Sequence, residues 1–330
     1  MTSRDEEFLA KWHIERPGCQ SWGGFVRHHL CEILVQKFGQ KAFQNLFKIP
    51  VVPRLKDDPS LLQKAFYRGK DYVDPFNEIE DKVGLRVVLL LGDDVRAVGE
   101  AIQSEESVWD AVKARDHADE IAAKPYEFDY QSLHYIVRSK GQNFFEGTSI
   151  PDGLPCEIQI RTILQHAYSE ITHDTLYKPS IKTTPKMKRS AAKSMALIEA
   201  TGDYFDELDK LITEQVRPQE ILNEYLISAY QELVTVPPSG SDSPLNKMII
   251  DYYAGFEGVS LDGLRKWIGE NKFIGERIRE RKDRRSVFQL PAILLAFFCA
   301  STAPNRSKND NPMPDMDLET IFSDLGKSLW

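Results

Sequence analysis

The segment Leu154–Thr162, which reads LPCEIQIRT, constrains the fold of this chain more than any other. Its apolar and polar residues alternate strictly, and a strand sends residues i and i+2 to the same face. The segment therefore predicts a strand with one apolar face and one polar, charged face. A solvated strand face would show the same pattern, so a functional interpretation depends on matching polar stripes elsewhere. The two stripes are Cys156, Ile158, Ile160 and Thr162 on one face, and Glu157, Gln159 and Arg161 on the other.

A group of cations surrounds the start of a predicted helix. Asp58 is a suitable N-cap and Pro59 suits the first helical position, so we expect a helix to begin here. Arg54 and Lys56 lie two apart on the extended lead-in and share a face. Ser60 and Lys64 lie four apart on the helix and also share a face, so the four side chains could converge on one ligand. Arg and Lys in such an arrangement favour an anion with several negative charges, such as a triphosphate. Ordinary surface charge at a helix start is the alternative. The group consists of Arg54, Lys56, Ser60 and Lys64.

Two further segments predict strands that carry polar residues. The apolar run 87–91 is typical of a buried central strand, and Asp81 lies at its entrance. The segment 130–137 predicts another strand, on which an aromatic ring, a hydroxyl and an imidazole would share one face. Such a face is suited to a nucleoside, although a tyrosine on a strand is more often simply packed. The three residues are Tyr130, Ser132 and His134.

Five motifs occur in order: Arg54-x-Lys56-x3-Ser60-x3-Lys64, Asp81-x2-Gly84-x-Arg86, Tyr130-x-Ser132-Leu133-His134, Glu157-x-Gln159-x-Arg161-Thr162 and His173-x3-Tyr177-Lys178. Together they resemble the RelA/SpoT synthetase family, the enzymes that make (p)ppGpp. The spacing from Glu157 to His173 is that of the small, stand-alone synthetases. The resemblance covers roughly residues 51–179, and it says nothing about the remainder of the chain.

The chain departs from the family pattern in two places, both on the side of the acceptor. Asp129 stands where the family usually has glycine before the tyrosine, and it adds a negative charge beside the expected acceptor phosphates. The Lys-Asp-Tyr motif that the family tends to carry upstream has no clear copy here. Lys113 and Lys124 are the lysines near enough, and neither aligns with it. These departures concern which molecule accepts the pyrophosphate more than how ATP is held.

The resemblance implies an α/β (α+β) fold, with a mixed sheet flanked by helices as in nucleotidyltransferases. The residue pattern after this region predicts an accessory α-helical domain. Helices in residues 1–50, with a break near Pro17-Gly18, would pack on a synthetase core over residues 51–180. A helical extension over 181–236 and the linker candidate 236–244 would precede a helical domain over 245–330. The apolar run 287–299 would form a buried or partner-facing helix, too short to span a bilayer.

The resemblance also implies the reaction: the β,γ-pyrophosphate of ATP moves to the ribose 3′-hydroxyl of GDP or GTP, which leaves AMP. Asp81 and Glu157 would hold Mg²⁺ between them, and Glu157 would also assist deprotonation of the acceptor hydroxyl. The chain has no GxxxxGK[ST] loop, so phosphate binding would rely on side chains. The expected ATP-binding residues are Arg54, Lys56, Ser60, Lys64 and Arg86. The expected acceptor-binding residues are Tyr130, His134, Gln159, Arg161 and His173.

Three other interpretations stay open. Some stand-alone members of the family are toxins that pyrophosphorylate tRNA, and a non-catalytic regulator could keep the fold and bind nucleotides. The spacing of His166, Glu170, His173 and Tyr177 on one helix face could hold zinc or iron, although no further ligand set is obvious. The dipeptide His173-Asp174 alone does not support an HD-type phosphohydrolase, which needs several His and Asp residues over a helical region of its own.

Composition sets the outer limits. The 330 residues carry a net charge of −8, which argues against indiscriminate nucleic-acid binding. The cysteines Cys19, Cys31, Cys156 and Cys299 have no metal-ligand spacing, and reduced thiols in a cytoplasmic protein are the simplest expectation. The acidic start has no apolar core and is not expected to be a signal peptide. The charged run 276–285 is most often a solvated helix face, and an RNA contact or a partner is the alternative. A homo-oligomer or protein partner would use the C-terminal helices.

Overall fold

The computed structural model describes residues 3–69, 71–124, 126–128, 132–141, 143–175 and 183–329. Its contacts divide the chain into two compact units, Met1–Leu208 and Asp209–Trp330. This division falls inside a long helix, so residues 209–234 belong with the second unit. The loop over 236–244, which the sequence suggested as a linker, lies within that unit.

The first unit is built on a five-stranded mixed sheet, as predicted. Its strand order is β1-β2-β7-β4-β3, with β2 and β7 parallel and the other neighbours antiparallel. A short hairpin, β5 and β6, stands beside it. The strands are β1 (Arg54–Leu55), β2 (Val83–Leu89), β3 (Trp109–Asp116), β4 (Leu133–Ser139), β5 (Asn143–Phe145), β6 (Thr148–Ile150) and β7 (Pro155–Thr162).

Helices flank this sheet. They are α1 (Ser3–Phe43), α2 (Asp58–Leu62), α3 (Pro75–Glu78), α4 (Gly92–Ser104), α5 (His117–Ala123), α6 (Ile163–Thr175) and α7 (Pro185–Val234), which continues into the second unit. The apolar stripe of β7 is fully buried, with Cys156, Ile158 and Ile160 all at 0% exposure, and it joins the core formed with α1 and α4. The alternation along β7 therefore separates a buried apolar face from a polar face, as the sequence predicts.

The break expected in the first helix near Pro17-Gly18 is wrong. Helix α1 runs through Pro17, and the non-helical residue is Gly39, with φ at 79°. Trp12 and Trp22, on either side of the proline, are fully buried against the core. Burial of two indole rings outweighs the one backbone hydrogen bond that proline cannot donate, so the helix continues.

The predicted N-cap is also displaced by one residue. Asp57, and not Asp58, caps α2, because its carboxylate accepts hydrogen bonds from the backbone N–H and the hydroxyl of Ser60, at 2.8 and 2.9 Å. Pro59 lies in the first turn, as expected. After Leu62 the helix widens into one π-helical turn, Gln63–Tyr67, a local form that often occurs at functional positions.

The second unit is helical, as predicted. It contains the end of α7 and α8 (Pro244–Ala254), α9 (Leu261–Glu270), α10 (Ile274–Arg281), α11 (Ile293–Thr302), α12 (Pro304–Ser307) and α13 (Asp315–Asp324). Every residue from Ile293 to Ala300 is buried, so α11 is the centre of this unit and the apolar run is confirmed as a buried helix. Asn246, fully buried, accepts a hydrogen bond from the Ala292 backbone N–H at 3.0 Å and so holds the start of α11.

The charged residues before α11 form ion pairs and hydrogen bonds within the second unit. Arg281 makes a bidentate ion pair with Asp324, and Arg285 lies 2.7 Å from a carboxylate oxygen of Asp317. Arg279 donates to the Leu233 carbonyl at 2.9 Å. These contacts favour the structural interpretation of the run over an RNA contact. None of the described helices is long and apolar enough to cross a membrane.

One carboxylate from α7 caps α4 within the first unit. The backbone N–H of Gly92, the first residue of α4, donates to Asp206 at 2.9 Å, and a Cβ added at Gly92 would meet Asp206 at 2.7 Å. We expect Asp206→Ala to lower the free energy of unfolding by about 1 kcal/mol, the usual cost of a lost N-cap. Asp203→Ala, an exposed carboxylate on the same helix, is the matched control. Equal urea midpoints for the two variants would contradict this capping role.

Candidate active site

A cavity of about 210 Å³ opens on the polar face of the sheet. The parallel register of β2 and β7 sets Gly84 beside Glu157 and Arg86 beside Gln159, so the polar stripes of two separate motifs become neighbours. The antiparallel pairing of β1 with β2 then adds Arg54 next to Gly84. The cavity is lined by Arg54, Leu55, Lys56, Asp81, Gly84, Leu85, Arg86, Glu157 and Gln159.

Gly84 keeps the floor of this cavity open. A Cβ at this position would lie 3.2 Å from the Glu157 carbonyl oxygen and 3.8 Å from the Glu157 Cβ. The first distance is tighter than ordinary van der Waals contact, and a larger side chain would occupy the space in front of the carboxylate. Glycine in the Asp81-x2-Gly84-x-Arg86 motif therefore leaves space for the cavity in front of Glu157.

Asp81 is the centre of the cationic side of the cavity. Its Oδ2 lies 2.6 Å from the Lys56 Nζ and 2.7 Å from the Lys64 Nζ, while its Oδ1 is buried without a hydrogen-bond partner among the described residues. Burial disfavours the carboxylate charge, but the charges of Lys56 and Lys64 outweigh it and hold the pKa of Asp81 below its ordinary value. Asp81 is therefore ionised at neutral pH, with one oxygen still available.

The local structure around Ser60 and Lys64 explains how they reach different partners. Lys64 lies on the π-helical turn and points its ammonium to Asp81. The Ser60 hydroxyl donates to Asp57, so its first role in this structure is in the helix cap. An ATP-binding role for Ser60 stays a prediction.

Glu157 is held by a chain of hydrogen bonds. His134 Nδ1 lies 3.1 Å from Glu157 Oε1, and Gln159 Nε2 donates to Oε2 at 2.9 Å. The fully buried Ser132 places its hydroxyl 2.6 Å from the other nitrogen of His134. Burial and the charge of Asp81 act to raise the pKa of Glu157, yet the hydrogen bond and charge of His134, helped by Gln159, lower it below the ordinary value. Glu157 is thus a second ionised carboxylate.

Arginines gather where the sheet meets α6. Arg161 is 1% exposed, and the charges of Arg161, Arg86 and Arg54 all act on His166, whose pKa is lowered first by burial and then by these charges. Arg86 also donates to Glu170 at 2.9 Å. The charges of these three arginines make this part of the site positive, which suits phosphate oxygens.

Asp81 and Glu157 are suited to a divalent cation only in part. Both are ionised, both line the cavity, and the buried Oδ1 of Asp81 lacks a protein donor within the described ranges, which fits a hard cation. No group of three or more His, Cys, Asp or Glu among the described residues could hold a metal ion. Any cation here would have to take its remaining ligands from phosphate oxygens and water.

The structure brings most of the predicted site residues into one region. Arg54, Lys56, Lys64, Asp81, Arg86, His134, Glu157 and Gln159 all lie on or beside the cavity, and Arg161 lies on the same strand face. Tyr130, Asp129 and Tyr177 lie outside the described residues, as does the side chain of His173. Stacking on Tyr130 and an acceptor contact of His173 stay predictions.

Sequence reasoning missed two contacts of this site. Glu170 and His166 were visible as a helical stripe, but their interpretation as metal ligands gave no hint that Glu170 pairs with Arg86. The support that Ser132 and Gln159 give to Glu157 was also missed. The Arg86–Glu170 and His134–Glu157 contacts join separate elements, which spacing along one segment cannot identify.

Residues 53–182 match a family model described as a region found in RelA / SpoT proteins. A GTP pyrophosphokinase of Streptomyces coelicolor is 30% identical over 164 residues, 49% of this chain and 17% of that protein. A GTP pyrophosphokinase of Bacillus subtilis is 32% identical over 141 residues, 42% of this chain and 61% of that protein. The chain thus spans between 12% and 17% of the length of the first three curated relatives it matches.

Solved structures are also similar. Small alarmone synthetase 1 of Bacillus subtilis, bound to its product pppGpp, matches with 19% identity and a TM-score of 0.47, over 63% of this chain and 99% of that one. A GTP pyrophosphokinase family protein of Streptococcus pneumoniae matches with 22% identity and a TM-score of 0.47, over 65% of this chain and 97% of that one.

The support of Glu157 by His134 gives a testable shift. We expect His134→Gln to raise the pKa of Glu157, because burial and the charge of Asp81 would no longer be opposed by the imidazole. Titration of the Glu157 carboxyl carbon by nuclear magnetic resonance measures this pKa directly. Gln159→Leu, which removes the weakest of the lowering contacts, is the matched control and should give a smaller rise. A Glu157 pKa that is unchanged in His134→Gln would show that the imidazole does not act on it.

Proposed function

We propose, on the premise that residues 53–182 form a RelA/SpoT region, that this protein transfers the β,γ-pyrophosphate of ATP to the ribose 3′-hydroxyl of GDP or GTP. The observation that carries the proposal is the pair of ionised carboxylates, Asp81 and Glu157, in a cavity walled by cations. GTP pyrophosphokinases among the relatives, and a structural neighbour solved with pppGpp, make this reaction the natural candidate.

The cationic side of the cavity would hold the ATP phosphates. Lys56 and Lys64 both converge on Asp81, and Arg54 and Arg86 line the same cavity. Positive charges fixed before the substrate arrives stabilise the charge that develops on phosphate oxygens during transfer. In this arrangement the lysines exchange part of their contact with Asp81 for contact with the phosphates.

Glu157 would act on the acceptor. The 3′-hydroxyl oxygen attacks the β-phosphorus, the bond from that phosphorus to the bridging oxygen of the α-phosphate breaks, and AMP leaves with the electron pair. The hydroxyl proton passes to the carboxylate of Glu157, which His134 and Gln159 hold in place. A carboxylate kept ionised and oriented is the form that can accept this proton.

Mg²⁺ is the cofactor we propose, because the hard oxygen ligands of Asp81 and Glu157 suit it and because phosphate oxygens would complete its coordination. When bound, it would neutralise charge on the transferred phosphates. The acceptor base would stack on Tyr130, and Arg161 and His173 would contact the acceptor phosphates. These acceptor contacts rest on the family resemblance alone.

The test is transfer from ATP labelled at the β- and γ-phosphates, with GDP, GTP or bulk tRNA as acceptor. We expect label on the guanosine nucleotide with wild type, and a loss of about 10²–10⁴-fold in rate with Glu157→Gln, the usual cost of a lost acid/base group. Binding of ATP should largely survive this change, because Glu157 lies apart from the lysine contacts. Glu15→Gln, a carboxylate that pairs with Lys82 outside the cavity, is the matched control.

The other outcomes of this assay are equally informative. Label on tRNA and none on GDP or GTP would replace the nucleotide acceptor with RNA. Absence of transfer to any acceptor, with ATP binding retained, would indicate a nucleotide-binding regulator. Turnover of Glu157→Gln within a few-fold of wild type would remove that residue from the proton transfer.

A further inference from the structure

Asp58 lies at the start of α2, and its carboxylate joins this helix to α1. Its Oδ1 accepts a hydrogen bond from the Trp12 indole N–H at 3.1 Å, and its Oδ2 lies 2.8 Å from the His13 Nε2. Trp12 is fully buried, so the indole that holds Asp58 is itself fixed in the core. Because Asp57 caps α2, the carboxylate of Asp58 is not needed for the cap and binds the neighbouring helix instead.

A second group of contacts joins α1 to the π-helical turn that follows α2. The Tyr67 hydroxyl donates to the carboxylate of Asp5 at 3.2 Å, and Asp5 is buried. The Phe66 ring packs edge-on against the Phe8 ring, with 5.3 Å between the two centroids. The segment from the start of α2 to the end of the turn is therefore held at both ends by one helix.

Lys64 lies between these two attachments, as the second residue of the π-helical turn. Such a turn contains one more residue than an α-helical turn, so it rotates the side chains that it carries relative to α2. From this position the Lys64 ammonium reaches the carboxylate of Asp81 at 2.7 Å. The direction in which Lys64 points therefore depends on a turn that α1 holds in place.

Helix α1 also supports the chain on the other side of this ion pair. It approaches the entrance of β2 so closely that a Cβ added at Gly23 would lie 2.7 Å from the Val83 side chain and 2.9 Å from the Pro53 side chain. Val83 is fully buried and follows Asp81 by two residues. The same helix thus fixes both the segment that carries Lys64 and the strand entrance beside Asp81.

We infer that Asp58 is a positioning residue for ATP binding. Through its contacts with Trp12 and His13, it fixes the turn from which Lys64 reaches the cavity. Asp58 is not among the described residues that line the cavity, so it acts through Lys64 and not on ATP itself. This inference rests on the proposed function, because it names the support for the ATP contact that Lys64 would make.

The test is isothermal titration calorimetry of the full-length chain with Mg²⁺ and an ATP analogue that carries a methylene group between the α- and β-phosphates. We expect Asp58→Ala to raise the dissociation constant about tenfold, because residues of one contact network are coupled. The double variant Asp58→Ala/Lys64→Ala should bind no more weakly than Lys64→Ala alone, since Asp58 acts through that lysine. His28→Ala, which changes an exposed histidine of α1 that pairs with Glu32, is the matched control and should leave the dissociation constant unchanged.

Two further variants separate positioning from a general loss of folding. The amide of Asp58→Asn can accept from the Trp12 indole and donate to a neutral His13 ring, so this variant should restore most of the binding. His13→Ala, a change at an exposed side chain, should weaken binding less than Asp58→Ala, because the contact with Trp12 remains. An unchanged stoichiometry in each titration shows that the variant is folded.

Transfer kinetics give a second readout, in which Asp58→Ala should raise the KM for ATP and leave the KM for the guanosine nucleotide unchanged. Binding of the analogue by Asp58→Ala as tightly as by wild type would overturn the inference. A double variant that binds about tenfold more weakly than Lys64→Ala would also overturn it, since Asp58 would then act by another route. A wild-type chain that does not bind the analogue would overturn both this inference and the proposed function. Binding without transfer would contradict the proposed function alone, and the titrations would still decide the role of Asp58.

Discussion

The ion pair of Asp81 with two lysines is the interaction on which the rest of the site depends. Lys56 comes from the segment after β1 and Lys64 from the π-helical turn, so one carboxylate oxygen ties together two separate pieces of chain. Partial burial alone would disfavour the charge of the carboxylate, and two half-buried ammonium groups would repel each other. Asp81 offsets the repulsion between the two ammonium groups, and the ammonium groups keep Asp81 ionised. The result is a local excess of positive charge in a chain whose net charge is −8.

Glu157, the second carboxylate, stays ionised through different contacts. Among the described residues, no lysine forms an ion pair with Glu157. The imidazole of His134 on the neighbouring strand β4 and the amide of Gln159 on β7 itself keep its charge. The two carboxylates thus differ in their partners: two lysines lie beside Asp81, whereas His134 and Gln159 hold Glu157. That difference suits two separate roles: Asp81 would bind the cations that contact the phosphates, and Glu157 would accept the proton.

The sequence was sufficient where function depends on alternation along one strand. The polar stripe of β7, the long α7 and the buried α11 were predictable, because periodicity reports which face is buried. The mixed sheet was implied by the family resemblance. It was insufficient where contacts join distant segments. Pro17 was expected to break α1, but two buried tryptophans hold the helix together. The partner of Arg86 on α6 had no signal in either segment.

The central proposal is that Asp81 supplies a ligand to a divalent cation that strengthens ATP binding. Isothermal titration calorimetry with a non-hydrolysable ATP analogue, with Mg²⁺ and with a chelator, tests it most directly. The wild-type chain should bind the analogue more tightly with Mg²⁺, and Asp81→Asn should lose that gain, because its amide keeps the shape but removes the charge. A variant that keeps the full gain from Mg²⁺ would contradict the claim and would place the cation elsewhere.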